Sequence, residues 1–296
     1  MKSGAKGTVK AVPLDFSDYP EDRAERRLRF IAEYLLVPKG VGAGKPVRLR
    51  DFQTDIIRGA FAPGIRTGLV SVARANGKTG LAAMLAVAEL FVGPDSAEVL
   101  VVASDQRQAG ITLRMAKRMI ELTPKLEERA QLYADKIVVP HNDSMLLPLP
   151  AEPGALHGHD PSLLVVDELH VVTEAVWEAV TSVSGKRPES LTLAISTPSS
   201  SPDCIMWRLV EHGRMGDDPA FYLKEFALFP LLHPAAALHQ AAMLPPLRED
   251  FQKLKEFLDR HSKAAEPEVA TSSNAARTVQ IERPAPAAQQ MDLFGS

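Results

Sequence analysis

The chain has 296 residues, of which 45% are hydrophobic and 24% charged, with a formal net charge of −3 and an isoelectric point near 6.3. That length suffices for one large domain or two small ones around a buried core, while the charge balance gives no global support for nucleic-acid binding. A single cysteine, Cys204, excludes an internal disulfide and a cysteine-thiolate metal cluster, and no apolar run reaches the ~18 residues of a membrane span.

In chain order, the first residues include lysines but no apolar run behind them, so they do not read as a signal peptide. Arg23, Arg26, Arg27 and Arg29, followed by Arg48 and Arg50, form either a local basic face or a solvated helix face alternating with Glu21, Glu25 and Glu33. Phe52, Ile56 and Ile57 have helical core spacing. Leu69 to Ala73 predicts a buried strand, and Gly77 to Phe91 a helix rich in Ala and Leu that stops at Gly93-Pro94. Val99 to Ala103 is the next strand and Gln106 to Leu122 the next helix. Lys136 to Val139 and Met145 to Leu147 suggest a hairpin around Asn142-Asp143. Leu163 to Val166 reads as a strand, Thr173 to Val183 as a helix and Leu191 to Ile195 as a further strand.

Strands alternating with helices predict an α/β fold with a mainly parallel sheet and helices on both faces. Strands buried on both sides are continuously apolar, as these are. Met84, Met115, Met119 and Trp177 fall on helix faces and are expected in the core.

Asn76-Gly77-Lys78-Thr79 stands where a strand gives way to a helix. Such a turn aims backbone N–H groups and the positive helix end at phosphates. Lys78 would then reach the β- and γ-phosphates and the Thr79 hydroxyl would ligate Mg²⁺. The pattern departs from G-x-x-x-x-G-K-[ST] because Val72 occupies the first glycine position.

About ninety residues later, four apolar residues end in Asp167-Glu168. Carboxylates at the C-terminal edge of a parallel sheet lie where α/β folds bind ligands. Asp167 would hold Mg²⁺, and Glu168 would orient and polarise an attacking water. Ser196-Thr197-Pro198 closes another strand with small hydroxyl residues, which is also ordinary turn chemistry. Phe52-Gln53 offers an aromatic to stack on a base and an amide to read an adenine edge. His157, His159, Asp160 and His170 match no usual zinc spacing and read as loop and surface residues.

Taken in order, Phe52-Gln53, Ala73-Arg74-Ala75-Asn76-Gly77-Lys78-Thr79, Ala103 to Ala109, His157 to Leu163, Val166-Asp167-Glu168-Leu169-His170 and Ser196-Thr197-Pro198 resemble the large terminase subunit of tailed bacteriophages, in its HK97-like group. The likeness covers about residues 48–227. It implies a P-loop NTPase of the additional-strand (RecA-like) class, binding ATP and Mg²⁺ and driving DNA packaging in the bacterial cytoplasm. Lys78 and Thr79, with Ala75, Asn76 and Gly77, map onto its phosphate loop, Asp167 onto the Mg²⁺ aspartate and Glu168 onto the catalytic glutamate. Ser196 and Thr197 map onto the coupling motif, Gln53 onto the adenine-contacting glutamine, and Arg74 onto the loop arginine that stabilises γ-phosphate charge. Double-stranded DNA, the portal protein, the small terminase subunit and a ring of like copies are the implied partners, with Arg107 and Arg114 as candidate arginine fingers in trans.

The chain divides into an N-terminal helical or extended arm over residues 1–47, the ATPase domain over 48–232 that the resemblance implies, a helical extension over 233–262 and a tail from 263 to 296 whose composition predicts disorder. The resemblance also implies a nuclease domain after the ATPase, for which the roughly seventy residues beyond Ala227 are too few. The charges of Glu249, Asp250 and Asp259 read as those of a helix over 248–260. Gln290-Met291-Asp292-Leu293-Phe294 is similar to the peptide that docks bacterial proteins on the sliding clamp. Two alternatives follow: a helicase-like or repair ATPase recruited by the clamp, and an assembly partner that binds nucleotide without cycling. Intact Lys78, Thr79, Asp167 and Glu168 count against the last.

Overall fold

A computed structural model describes residues 12–40, 42–73, 76–103, 106–198, 201, 203–226 and 252. The elements begin with α1 (Arg23–Tyr34), α2 (Asp51–Ala60), β1 (Thr67–Val72), α3 (Lys78–Val92), β2 (Glu98–Ala103) and α4 (Gln106–Glu121). A short turn α5 (Pro124–Glu127) leads to β3 (Gln131–Leu132), β4 (Ile137–Val139), β5 (Ser144–Pro150) and α6 (Pro153–Leu156). Then come β6 (Leu163–Asp167), a 3-10 turn over Leu169–Val171, α7 (Glu174–Ser184), β7 (Leu191–Ser196), α8 (Ile205–Met215) and β8 (Phe221–Phe226).

Among the described residues the strands form one eight-stranded sheet in the order β3-β4-β5-β2-β6-β7-β1-β8. Only the β3-β4 and β4-β5 pairings are antiparallel; the rest are parallel. β7 lies between β1, which leads into the Lys78 helix, and β6, which ends in Asp167. That interposed strand is the feature for which the additional-strand class is named.

The apolar runs are continuous because both sheet faces are covered. Along β2, Val99, Val101 and Ala103 enter one core, with α1, α3 and α4, while Leu100 and Val102 enter the other, with α7 and α8. β6 divides in the same way, Leu163 and Val165 against Leu164 and Val166. Helix α3 is buried at every position from Leu81 to Val92, which is why its sequence is apolar on all sides. Met84, Met119 and Trp177 are buried and Met115 packs beside them at the core margin.

The arginines of α1 divide between the interior and the solvated face, where Arg29 is exposed. Arg27 is buried and pairs with the buried Glu89 of α3. Arg29 meets Asp18 at 2.5 Å, and Arg26 donates to the Val92 carbonyl at 3.2 Å. Asp22 caps α1 by accepting from the Glu25 N–H. Opposite the sheet edge, the Tyr222 ring of β8 lies against Gly59 of α2, where an added Cβ would stand 2.1 Å from it. A Cβ there would push the Tyr222 ring tip aside, so glycine suits this close approach.

Candidate active site

Strand β1 delivers the chain to the loop, and Val72 shows why no first glycine is needed. It is still a strand residue, buried and paired with Phe226 of β8, so the loop starts after it. Gly77 takes φ +73° at the start of α3, a conformation costly to residues with a Cβ. No side chain caps this helix, which leaves its first N–H groups for another acceptor. Asn76 Nδ2 donates to the Ala73 carbonyl at 3.2 Å, bracing the loop from within. Gln53 lies alongside: its Oε1 accepts from the Arg50 N–H at 3.0 Å, while its Nε2 is 4.0 Å from a Cβ built on Gly77.

Lys78 is buried, and its Nζ donates to the Val72 carbonyl at 3.4 Å and stands 3.7 Å from Glu168 Oε1. Asp167 ends β6 and is 2% exposed, with neither carboxylate oxygen hydrogen-bonded among the described residues. Burial foremost, and then the negative Glu168 beside it, push its carboxyl up to about 6; Lys78, the Glu168 N–H and the Thr79 hydroxyl pull the other way. Two buried, unpaired carboxylate oxygens next to a threonine hydroxyl suit a hard divalent cation that prefers oxygen ligands. The described residues, this site included, contain no group of three or more His, Cys, Asp or Glu placed to hold a metal.

Glu168 adopts φ +58° and ψ +54°, a left-handed conformation that costs about 1 kcal/mol or more in a residue other than glycine. The bend turns its side chain from the strand toward Lys78, and its N–H donates to the Ile195 carbonyl of β7 at 3.0 Å. Thr197 Oγ1 donates to Glu168 Oε2 at 3.4 Å. Ser196 is fully buried and its Oγ donates to the Thr197 carbonyl at 3.1 Å.

The histidines separate. His159 Nδ1 lies 2.6 Å from Glu98 Oε1, and Asp160 pairs with Arg187 at 3.1 Å. His170 is not the surface residue its spacing suggests: it stands half-buried beside Glu168, at 3.2 Å, and Ser196, also at 3.2 Å. The Asp-Glu-Leu-His run was the one signal for it, because a single 3-10 turn brings the fourth residue back to the second.

The family model for the terminase large subunit, ATPase domain, matches residues 56–212, more than half of the chain. The chain belongs to this family. A terminase ATPase domain hydrolyses ATP and therefore binds it. The large terminase subunit of Enterobacteria phage HK97 is 30% identical over 207 residues, covering 67% of this chain and 41% of that protein. The HK97 large terminase crystal structure aligns at TM-score 0.63 and 29% identity, over 69% of this chain and 44% of that one. The chain thus spans about two fifths of the length of these relatives. The Thermus phage P74-26 large terminase ATPase domain shares the fold at TM-score 0.52 and 19% identity, over 67% of this chain and 88% of that one.

The loop residues Arg74 and Ala75 lie outside the described residues, as do the helix expected over 248–260 (apart from Gln252), the tail and Gln290 to Phe294. Arg107 and Arg114 are exposed on α4. Among the described residues no helix is long and apolar enough to cross a membrane.

The Asp167 carboxyl gives a stability test. Its folded value of about 6 lies above the ordinary 3.8, so the fold favours the proton and loses stability as pH rises through that window. Asp167→Asn is expected to stabilise the metal-free chain by on the order of 2 kcal/mol at pH 8, with the gain vanishing near pH 4. Thermal melts at both pH values in chelator check it, and an equal gain at the two would contradict the burial argument.

Proposed function

We propose that the chain is the ATPase of a viral DNA-packaging motor, hydrolysing ATP to translocate double-stranded DNA. The observation that carries this reading is the meeting of Lys78, Asp167 and Glu168 at the C-terminal edge of one parallel sheet, within 3.7 Å for Lys78 and Glu168. The backbone of Asn76 and Gly77, with Ala75, cradles the phosphates at the start of α3. Lys78 offsets their negative charge, and a γ-phosphate competes with the Glu168 carboxylate for that ammonium. Thr79 and Asp167 would hold Mg²⁺, which when bound neutralises charge on the β- and γ-phosphate oxygens. Glu168 Oε1 accepts a proton of the attacking water, whose oxygen bonds to the γ-phosphorus as the bond to the ADP oxygen breaks.

Gln53, one turn into α2 and beside Gly77, is assigned the adenine edge, its Nε2 being the donor left over after Oε1 caps the helix. Arg74 is assigned to the γ-phosphate charge in the same chain. Ser196 and Thr197 end the strand between the loop and the acids and transmit the state of the γ-phosphate to the sheet. Double-stranded DNA, the portal protein, the small terminase subunit and a ring of copies are the partners, with the exposed Arg107 or Arg114 reaching a neighbour's site.

The test is ATP turnover by the purified chain with linear double-stranded DNA and a cognate portal. Turnover is expected to rise severalfold with both present, and DNA ends to be drawn inward in a packaging assay. Turnover indifferent to both, with no DNA movement, would remove the packaging reading and leave a simple ATPase.

A further inference from the structure

The two oxygens of Glu168 have different partners. Oε1 faces Lys78 Nζ at 3.7 Å, whereas Oε2 faces His170 Nδ1 at 3.2 Å and Thr197 Oγ1 at 3.4 Å. His170 Nδ1 also lies 3.2 Å from Ser196 Oγ and 3.4 Å from Thr197 Oγ1.

One assignment of protons satisfies all of these contacts. The Ser196 hydroxyl spends its proton on the Thr197 carbonyl at 3.1 Å, and its oxygen already accepts the His170 backbone N–H at 3.3 Å. The Thr197 hydroxyl spends its proton on Glu168 Oε2. In that assignment the oxygens facing Nδ1 offer lone pairs, which suits an imidazole with its hydrogen on Nδ1. Nδ1 then hydrogen-bonds to the Ser196 and Thr197 oxygens and stands 3.2 Å from Glu168 Oε2 as a close polar contact.

We propose that His170 is the positioning residue for Glu168, its Nδ1 packed against Oε2 and hydrogen-bonded to Ser196 and Thr197, which ties the carboxylate to the end of β7. The proposal rests on the reading of Glu168 as the group that activates water. The Glu168 backbone is already fixed by its N–H bond to Ile195 and its left-handed turn, so the freedom left is that of the side chain. Once a γ-phosphate draws Lys78 away, Oε1 is released to meet the water, and the carboxylate keeps its direction through Oε2 alone. Thr197 supplies the longer of the two remaining contacts, and His170 the shorter. Because Nδ1 touches Ser196 and Thr197 as well, a shift at the end of β7 moves the base directly.

In this arrangement His170 acts on the chemical step and leaves nucleotide binding alone. His170→Ala is expected to lower kcat roughly tenfold, the size of one lost polar contact to a charged group, with KM for ATP within about twofold. His170→Asn, whose amide N–H stands where Nδ1–H does, is expected to restore most of kcat; a packing role would leave Asn no better than Ala. An unchanged kcat in His170→Ala, a loss confined to KM, or equal failure of Ala and Asn overturns the proposal. Glu168→Gln is run in parallel: if that variant turns over normally, the base assignment falls and takes His170 with it. If only His170→Ala is silent, the base stands and His170 alone is removed. Independently of activity, the ¹⁵N shifts of the His170 imidazole should report hydrogen on Nδ1, and an Nε2–H tautomer refutes the proton accounting.

Discussion

Glu168→Gln is expected to lower ATP turnover by at least about 100-fold, the usual range for loss of a positioned general base, while nucleotide binding persists. The amide is nearly isosteric, so its oxygen still accepts from Thr197 and the left-handed turn is undisturbed. What disappears is the negative charge 3.7 Å from Lys78. An amide cannot take a proton from water, and it competes less for the lysine, so Lys78 becomes freer to meet phosphate. The variant should therefore bind ATP as well as the parent chain or slightly more tightly. Lys78→Ala provides the mirror image, with affinity and turnover lost together. Fluorescent-nucleotide titration alongside phosphate release separates the two patterns, and normal turnover in Glu168→Gln would sink the assignment.

How far the sequence reveals this arrangement depends on what each residue's role leaves in its neighbours. The β1, β2, β6 and β7 runs are readable because burial on both sheet faces makes most of their positions apolar, with Ser71 and Thr192 as buried exceptions. Lys78 and Asp167-Glu168 are readable because the chemistry dictates their types at a strand end. β8 is not, because Phe221 to Phe226 mixes aromatic and charged residues and is half-buried along its length. Its Tyr222 ring packs against Gly59, a contact between residues far apart in sequence.

The far end of β5 is hidden for a different reason. Pro148 and Pro150 argue against a strand, yet β4 pairs only as far as Leu146, so beyond it β5 needs hydrogen bonds on its β2 side alone. Val72, read both as a strand residue and as the occupant of the first glycine position, ends β1 and pairs with Phe226. His170 escapes because a 3-10 turn, invisible to helical or strand periodicity, folds it back onto the acid two residues earlier.

The buried pair between α1 and α3 sets the largest stability effect. Arg27 Nε donates to Glu89 Oε2 at 2.9 Å and Nη2 joins the same oxygen, while Nη1 donates to the Arg23 carbonyl at 2.7 Å. The guanidinium also lies 4.3 Å from the Phe61 ring centroid. Both side chains are almost fully enclosed, at 3% and 1% exposure, so each charge depends on the other. Glu89→Ala strands the arginine and is expected to cost ~3–5 kcal/mol, lowering the melting temperature by roughly 10 °C or more. A double replacement, Arg27→Met with Glu89→Leu, removes both charges at similar volume and is expected to be near neutral, because desolvation offsets most of the attraction. A double variant as unstable as Glu89→Ala would mean that packing, not charge, holds α1. Glu89 lies eleven positions beyond Lys78 on the same helix, about 16 Å away along the axis. Molecules of the single variant that remain folded in the cold should thus still hydrolyse ATP, and loss of turnover there would tie the α1 contact to the loop itself.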